Sequence, residues 1–254
     1  MELRTSRFDF KVSNSFENWD LIIGSQGMNQ ENINVGAEWL IPNAVINDIA
    51  LLSLLNWNKN NLQVQFGARY DYREIATLFT PDFILAASFQ EFYNPSFSIG
   101  GTYQINENMV FRTNFAQGYR APSLFELFAN GVHHGAQRYE EGNPDLKSEN
   151  NREWDLSFQT HGEHVVLDFA LYDNHINNFI YSIPTGEMEG NYSVYKHTQN
   201  KARLYGGEFG LDFHPHIWHD LHLKSTVSLV YGENLNLNEP LPLMPPLTWR
   251  NEAR

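Results

Sequence analysis

Alternation of apolar and polar residues over long stretches restricts the fold of this chain more than any other feature. Leu62, Val64, Phe66, Ala68, Tyr70 and Tyr72 share one side of an extended segment, and Gln63, Gln65, Gly67, Arg69, Asp71 and Arg73 share the other. Successive side chains of a strand point to opposite faces, so this segment has an oily face and a wet one. The same period of two returns in Phe111, Thr113 and Phe115, then in Trp154, Leu156 and Phe158. It returns again in Val165, Leu167, Phe169 and Leu171, and in Leu221, Leu223, Val227 and Leu229. Such strands form an antiparallel sheet with its two faces in different surroundings.

The connections add an asymmetry. Short polar turns fall at Ser13 to Asn18, Trp57 to Asn61, Gln104 to Asn108, Thr160 to His164 and His214 to Asp220. Between them the alternation predicts long loops at Gly36 to Asn47, Glu74 to Gln90, Ala121 to Lys147, Ile183 to Tyr195 and Gly232 to Leu247. Hairpins with one tight end and one long end describe an outer-membrane barrel, with short periplasmic turns and long extracellular loops. Strands of about 10 to 14 residues also exceed the usual globular length of about 5 or 6, and a tilted span of about 9 to 11 crosses a bilayer.

Composition agrees with this reading. Aromatic residues make up 14% and charged residues 19% of the 254-residue chain. The longest apolar run, Ile49 to Leu55, is too short for a membrane helix. A mean hydropathy of −0.45 is compatible with a barrel, whose lipid-facing and lumen-facing residues average out. The formal charge of −13 speaks against nucleic acid and for cationic ligands. The absence of cysteine excludes disulfides and thiolate metal sites. Aromatics near strand ends, at Tyr70, Tyr72, Tyr119, Trp154, Tyr205 and Tyr231, suit the interfacial girdles of a barrel. They fit less well in a soluble, carbohydrate-binding β-sandwich, which is the rival reading from another class. About ten strands follow from the alternation, with an eleventh starting near Thr248. The expectation is therefore a portion of a barrel, with further strands outside this chain.

One stretch is more specific. Gly118-Tyr119-Arg120-Ala121-Pro122-Ser123 leads to Glu126-Leu127 and then to Gly142-Asn143-Pro144-Asp145-Leu146-Lys147-Ser148-Glu149. Pro122 ends a strand, Ser123 and Glu126 have the spacing of a capping box, and Asn130-Gly131 is the expected stop of a short helix. Asn143-Pro144-Asp145 then predicts a turn. This motif resembles the hallmark strand and loop of the TonB-dependent receptors, the ligand-gated barrels of Gram-negative outer membranes. The resemblance implies a 22-stranded barrel, of which this chain supplies ten or eleven strands. It also implies an N-terminal plug and a TonB box, neither visible in this sequence, and energised uptake of a scarce nutrient. The implied partners are outer-membrane lipid, the plug, the TonB complex and a small-molecule or metal ligand. No catalytic cofactor is implied.

The loop segment Val132-His133-His134-Gly135, followed by Tyr139-Glu140-Glu141, is similar to the zinc-uptake branch of that family. His133, His134, Glu140 and Glu141 are thus the first metal-ligand candidates, since imidazole and carboxylate suit zinc. Siderophore, haem and carbohydrate receptors of the same family are the alternatives. A second histidine cluster, His214, His216, His219 and His222, lies at a short turn with His161 and His164 in the preceding one. It is either a low-affinity metal relay or a set of solvated turn residues. Arg69, Asp71, Arg112, Arg120, Glu153, Asp155, Asp168, Glu208 and Asp212 fall on the wet face, where the family implies contact with the plug. Arg120 and Glu126 are placed to brace the loop base. No phosphate loop, nucleophile elbow or zinc-protease helix occurs, so the sequence does not read as an enzyme.

Overall fold

The computed structural model describes residues 2–35, 39–80, 83, 87–215 and 221–253. Among the described residues, ten long strands and a shorter eleventh run antiparallel, in sequence order, through one sheet. They are β1 (Glu2–Phe16), β2 (Trp19–Ile33), β3 (Ala44–Lys59), β4 (Leu62–Thr77), β5 (Phe89–Asn106), β6 (Met109–Arg120), β9 (Glu149–His161), β10 (Val165–Glu189), β11 (Tyr192–Phe213), β12 (Leu223–Asn234) and β14 (Thr248–Ala253). The connection from β6 to β9 carries helix α1 (Leu124–Phe128) and the short strands β7 (Asn130–His133) and β8 (Arg138–Glu141); β13 (Glu239–Pro240) precedes β14. The eleventh strand begins at Thr248, where the alternation resumes. All these strands belong to one sheet, which sets the two-sheet sandwich aside.

The register keeps the two faces apart. Phe66 pairs with Ile99 and Ile99 with Phe115, whereas Asp71 pairs with Asn94 and Ala50. Because directly opposed residues share a face, the oily row and the wet row continue from strand to strand. The oily face is open, with Leu51, Tyr93, Trp154 and Phe97 all exposed. Its aromatic residues form two belts. Trp19 and Trp57 meet at 6.1 Å beside the short turns, while Tyr72–Tyr93 at 5.1 Å and Tyr205–Tyr231 at 5.2 Å lie toward the opposite end. Two aromatic belts flanking an apolar band are what a bilayer with two interfaces selects.

Three expectations are corrected. β6, β9 and β12, at 12 or 13 residues, fall in the expected range, but β1 to β5, β10 and β11 exceed it, reaching 25 residues in β10. The predicted loop from Ile183 to Tyr195 is instead the tip of the β10–β11 hairpin, closed at Gly190-Asn191. Two register shifts, Ile176/Phe179 and Pro184/Met188, let this hairpin continue past polar residues, and Asn178 and Gly186 adopt positive φ inside them. At about 3.3 Å per residue β10 is about 80 Å long, so it projects well beyond any bilayer. Helix α1 has no glycine stop. Its last turn closes through Ala129 N–H to Phe125 O at 2.9 Å, and Ala129 is extended at φ −58° and ψ 136°, passing the chain straight into β7. Gly131 serves packing instead, since a Cβ there would lie 2.8 Å from Trp39 O.

The start of α1 is as expected. Ser123 Oγ accepts from Glu126 N–H at 3.2 Å, and the Glu126 carboxylate accepts from Ser123 N–H at 2.8 Å. The apolar core lies here, at the long-loop end. Leu124, Leu127 and Phe128 of the helix, with Leu146, pack on Ala44, Ile75, Phe92 and Ile180 of the barrel wall. Ile75 and Ala44 belong to the same face as Arg73 and Asp48, so the wet face turns apolar at its top and the loop folds inward over it. Asn143-Pro144-Asp145 makes the predicted turn, with Asp145 N–H on Asn143 Oδ1 at 3.0 Å. Gln199 of β11 clamps the return by bonding both the N–H and the carbonyl of Lys147.

Candidate functional site

The inward-folded loop and the wall beneath it make the candidate site. Strands β7 and β8 form a small hairpin, and β8 pairs in parallel with β11, Glu140 opposite Tyr195 and Glu141 opposite Lys196. This pairing fixes the four loop candidates. Glu140 is fully buried and accepts from Arg138 Nε at 2.7 Å, while its Oε2 has no hydrogen-bond partner. His133 Nδ1 lies 3.6 Å from Glu140 Oε1 and is likewise buried without a hydrogen-bond partner. The structure therefore brings His133 and Glu140 together.

The other two candidates point elsewhere. Glu141 is tied to Lys196 at 2.6 Å, and His134 stands edge-on to Tyr192 at 6.3 Å. Two side chains that the sequence did not single out complete the surroundings. His197, almost wholly buried, places Nδ1 3.4 Å from the Glu141 carbonyl, and Phe125 stands edge-on to both His197 at 5.3 Å and His133 at 6.1 Å. Arg138 lies over the Tyr195 ring at 4.5 Å. His197 enters through a strand pairing spanning more than fifty residues, which leaves no local signal.

Below the loop the wet face forms a charged cleft of about 770 Å³, lined by Arg7, Asp9, Asp48, Arg69, Asp71, Arg73 and Arg120 among others. Arg69 holds Asp71 at 2.7 Å and Gln26 at 2.6 Å, and Arg73 grips Asp48 at 2.6 and 2.8 Å. Much of the wall's charge is thus satisfied within the wall. Arg112, Asp168 and Glu208 line a second recess, while Asp155 accepts from Asn114 at 3.3 Å and Glu153 from Asn174 at 3.0 Å. Arg120 braces the loop base as expected, bonding Glu126 at 2.8 Å and Glu149 at 2.7 Å. Burial alone would raise the Glu126 carboxyl; the bond from Arg120 and the Ser123 N–H outweigh it and hold the group below the ordinary carboxylate range.

At the opposite end, His214 and His222 meet beside Asp212, their ligand atoms all within 4.8 Å of one another. His216 and His219 lie outside the described residues.

Residues 4–251 match the family described as TonB dependent receptor-like, beta-barrel. Solved structures with the same fold include the copper transporter OprC, 17% identical with a TM-score of 0.82, where the match covers 98% of this chain and 40% of that one. The FrpB iron transporter from Neisseria meningitidis (F3-3 variant) is 16% identical with a TM-score of 0.69, over 99% of this chain and 39% of that one. A double mutant of the Serratia marcescens hemophore receptor HasR, in complex with its hemophore HasA and heme, is 16% identical with a TM-score of 0.63, over 97% and 45%. The chain thus spans less than half the length of these structures. The family consists of receptors and transporters of the Gram-negative outer membrane rather than enzymes. The chain belongs to the TonB-dependent receptors, and its long strands are strands of that family's β-barrel.

Proposed function

We propose that this barrel takes part in energised uptake of a metal ion or metal complex across the outer membrane, with zinc as the leading cargo. The observation that carries the reading is the pairing of His133 with the buried Glu140 in the inward-folded loop, where one nitrogen and one carboxylate oxygen are buried without hydrogen-bond partners. Buried polar atoms are nearly always satisfied, and an imidazole beside a carboxylate is a donor pair that zinc accepts. His134 and Glu141 lie a residue away on the same small hairpin and can turn inward when the loop closes on a cation. The copper, iron and haem proteins among the structural relatives support a metal or metal-complex cargo. A ferric siderophore or haem is the second reading, favoured by the roomy charged cleft beneath the loop. On either reading Arg69, Asp71, Arg112, Glu153, Asp155, Asp168 and Glu208 face the plug, and the TonB complex supplies the energy.

The test is a calorimetric titration of the receptor in detergent with zinc, beside a His133→Ala/His134→Ala variant and a Glu140→Gln variant. Tight binding that both variants abolish supports zinc uptake through this loop. Unchanged binding in both places the cargo site elsewhere, and no binding by the parent protein removes zinc as the cargo.

A further inference from the structure

The last residues of β11 and the first of β12 converge on a group of donors at the short-turn end of the lumen. Asp212 shares the wet face with Glu208, His214 follows the end of β11, and His222 immediately precedes β12. His222 Nδ1 lies 3.4 Å from Asp212 Oδ1, while Lys224 Nζ holds the other oxygen, Oδ2, at 3.0 Å. The two imidazole rings stack at 5.2 Å and 29°. His214 Nδ1 is buried and has no hydrogen-bond partner. Its backbone is held in place, since His214 N–H donates to the His164 carbonyl at 3.0 Å.

We infer that Asp212, His214 and His222 form a low-affinity site for a divalent transition-metal ion at the periplasmic rim of the lumen. The site is separate from the extracellular loop and does not depend on which cargo the receptor carries. Two physical points lead to it. Two imidazoles and one carboxylate, each offering an atom within 4.8 Å of the others, are the donor types and the compactness that zinc, cobalt or nickel requires, with positions left open for water. The orphaned His214 nitrogen acquires a partner when a cation sits between the rings.

Lys224 sets the affinity. Its ammonium leaves only Oδ1 of Asp212 for a metal and places a positive charge beside it. A cation would therefore bind here weakly enough to leave again, as a way-point at the mouth facing the periplasm must allow.

Cobalt(II) is the probe, because its visible absorption reports imidazole and carboxylate coordination directly. The receptor in detergent is titrated together with His214→Gln, His222→Gln and Asp212→Asn, and with Lys224→Met, each checked for an intact barrel by heat-modifiable migration on gels. The expectation is a saturable absorption band whose Kd is weakened at least about tenfold in each of the three ligand variants. The lysine variant should bind cobalt several times more tightly, a gain that misfolding cannot mimic. Binding no tighter than about 1 mM by the parent protein overturns the site. So does a band unchanged in His214→Gln and His222→Gln, or one lost only in the His133 and Glu140 variants. That last result would leave the uptake reading standing while removing the rim site, whereas loss in the rim variants alone would do the reverse.

Discussion

Arg120 and Glu149 face each other on the final rung of the β6–β9 ladder, and Arg120 Nε donates to Glu149 Oε2 at 2.7 Å. Glu149 passes the constraint on, because its Oε1 accepts from Ile180 N–H at 2.7 Å across the register shift in β10. Arg120 also reaches Glu126 of the capping box, so one guanidinium ties the end of β6, the helix start and, through Glu149, the bulged hairpin. Replacing it should loosen the whole loop base while leaving the barrel assembled. For Arg120→Ala the expected loss is about 1–2 kcal/mol, below the sum of two charge-assisted bonds because the arginine is half exposed. Hydrogen exchange across residues 121–148 is the measurement; exchange as slow as in the parent protein would contradict the bracing role.

The Glu126 carboxyl adds a pH dependence to the same region. Its folded-state pKa is lowered, so its stabilising contribution is fully present above the ordinary glutamate value of about 4.3 and is lost as pH falls through the lower folded value. Loop protection should hold from neutral pH down to about pH 4 and then decline. In Glu126→Gln the decline attributable to this group should vanish, together with part of the protection at neutral pH.

Glu140 and Arg138 should respond unequally to substitution. Removing the arginine strands a fully buried carboxylate, a change that typically costs about 3 kcal/mol or more. Glu140→Gln keeps an acceptor for Arg138 without the charge and should cost about 1 kcal/mol. Proteolytic nicking between residues 130 and 142 should therefore rise much more in Arg138→Ala than in Glu140→Gln. Equal sensitivity would mean that Glu140 is solvated when the loop is in solution.

The β10–β11 hairpin offers a test of orientation, helped by the lack of cysteine in the chain. Asn191 lies at the hairpin tip on the long-loop side, and Gly162 lies in a short turn. On intact cells a membrane-impermeant maleimide should label Asn191→Cys and leave Gly162→Cys unmodified until the envelope is opened. The opposite pattern would invert the barrel.

Most of the framework was legible because its causes are local. A strand in the wall of a barrel sees lipid on one side and water on the other at every second residue, so Leu62 to Arg73 declares its conformation and its faces without reference to distant residues. Ser123 and Glu126 are three positions apart, and the capping box needs nothing else. The helix stop was misread for a complementary reason. Asn130-Gly131 carries the local mark of a left-handed cap, but pairing of β7 with β8 and the close approach of Trp39 to Gly131 override it. The hairpin from Ile183 to Tyr195 was hidden in the same way, because Pro184, Gly186 and Gly190 carry the local marks of a loop.

The sequence by itself determined a membrane-crossing antiparallel wall, its long and short ends, the eleventh strand at Thr248 and the family whose motif begins at Gly118. Only the tertiary structure decided that α1 turns inward to bury Leu127 against Ile75, that His133 meets Glu140 rather than Glu141, and that Asp212 joins His214 and His222. The alternation that shapes each strand repeats every two residues and acts locally. These convergences depend on register shifts, a parallel β8–β11 pairing and a loop folded back into the lumen, and no periodicity along the chain encodes which side chains meet when strands far apart in sequence close on one another.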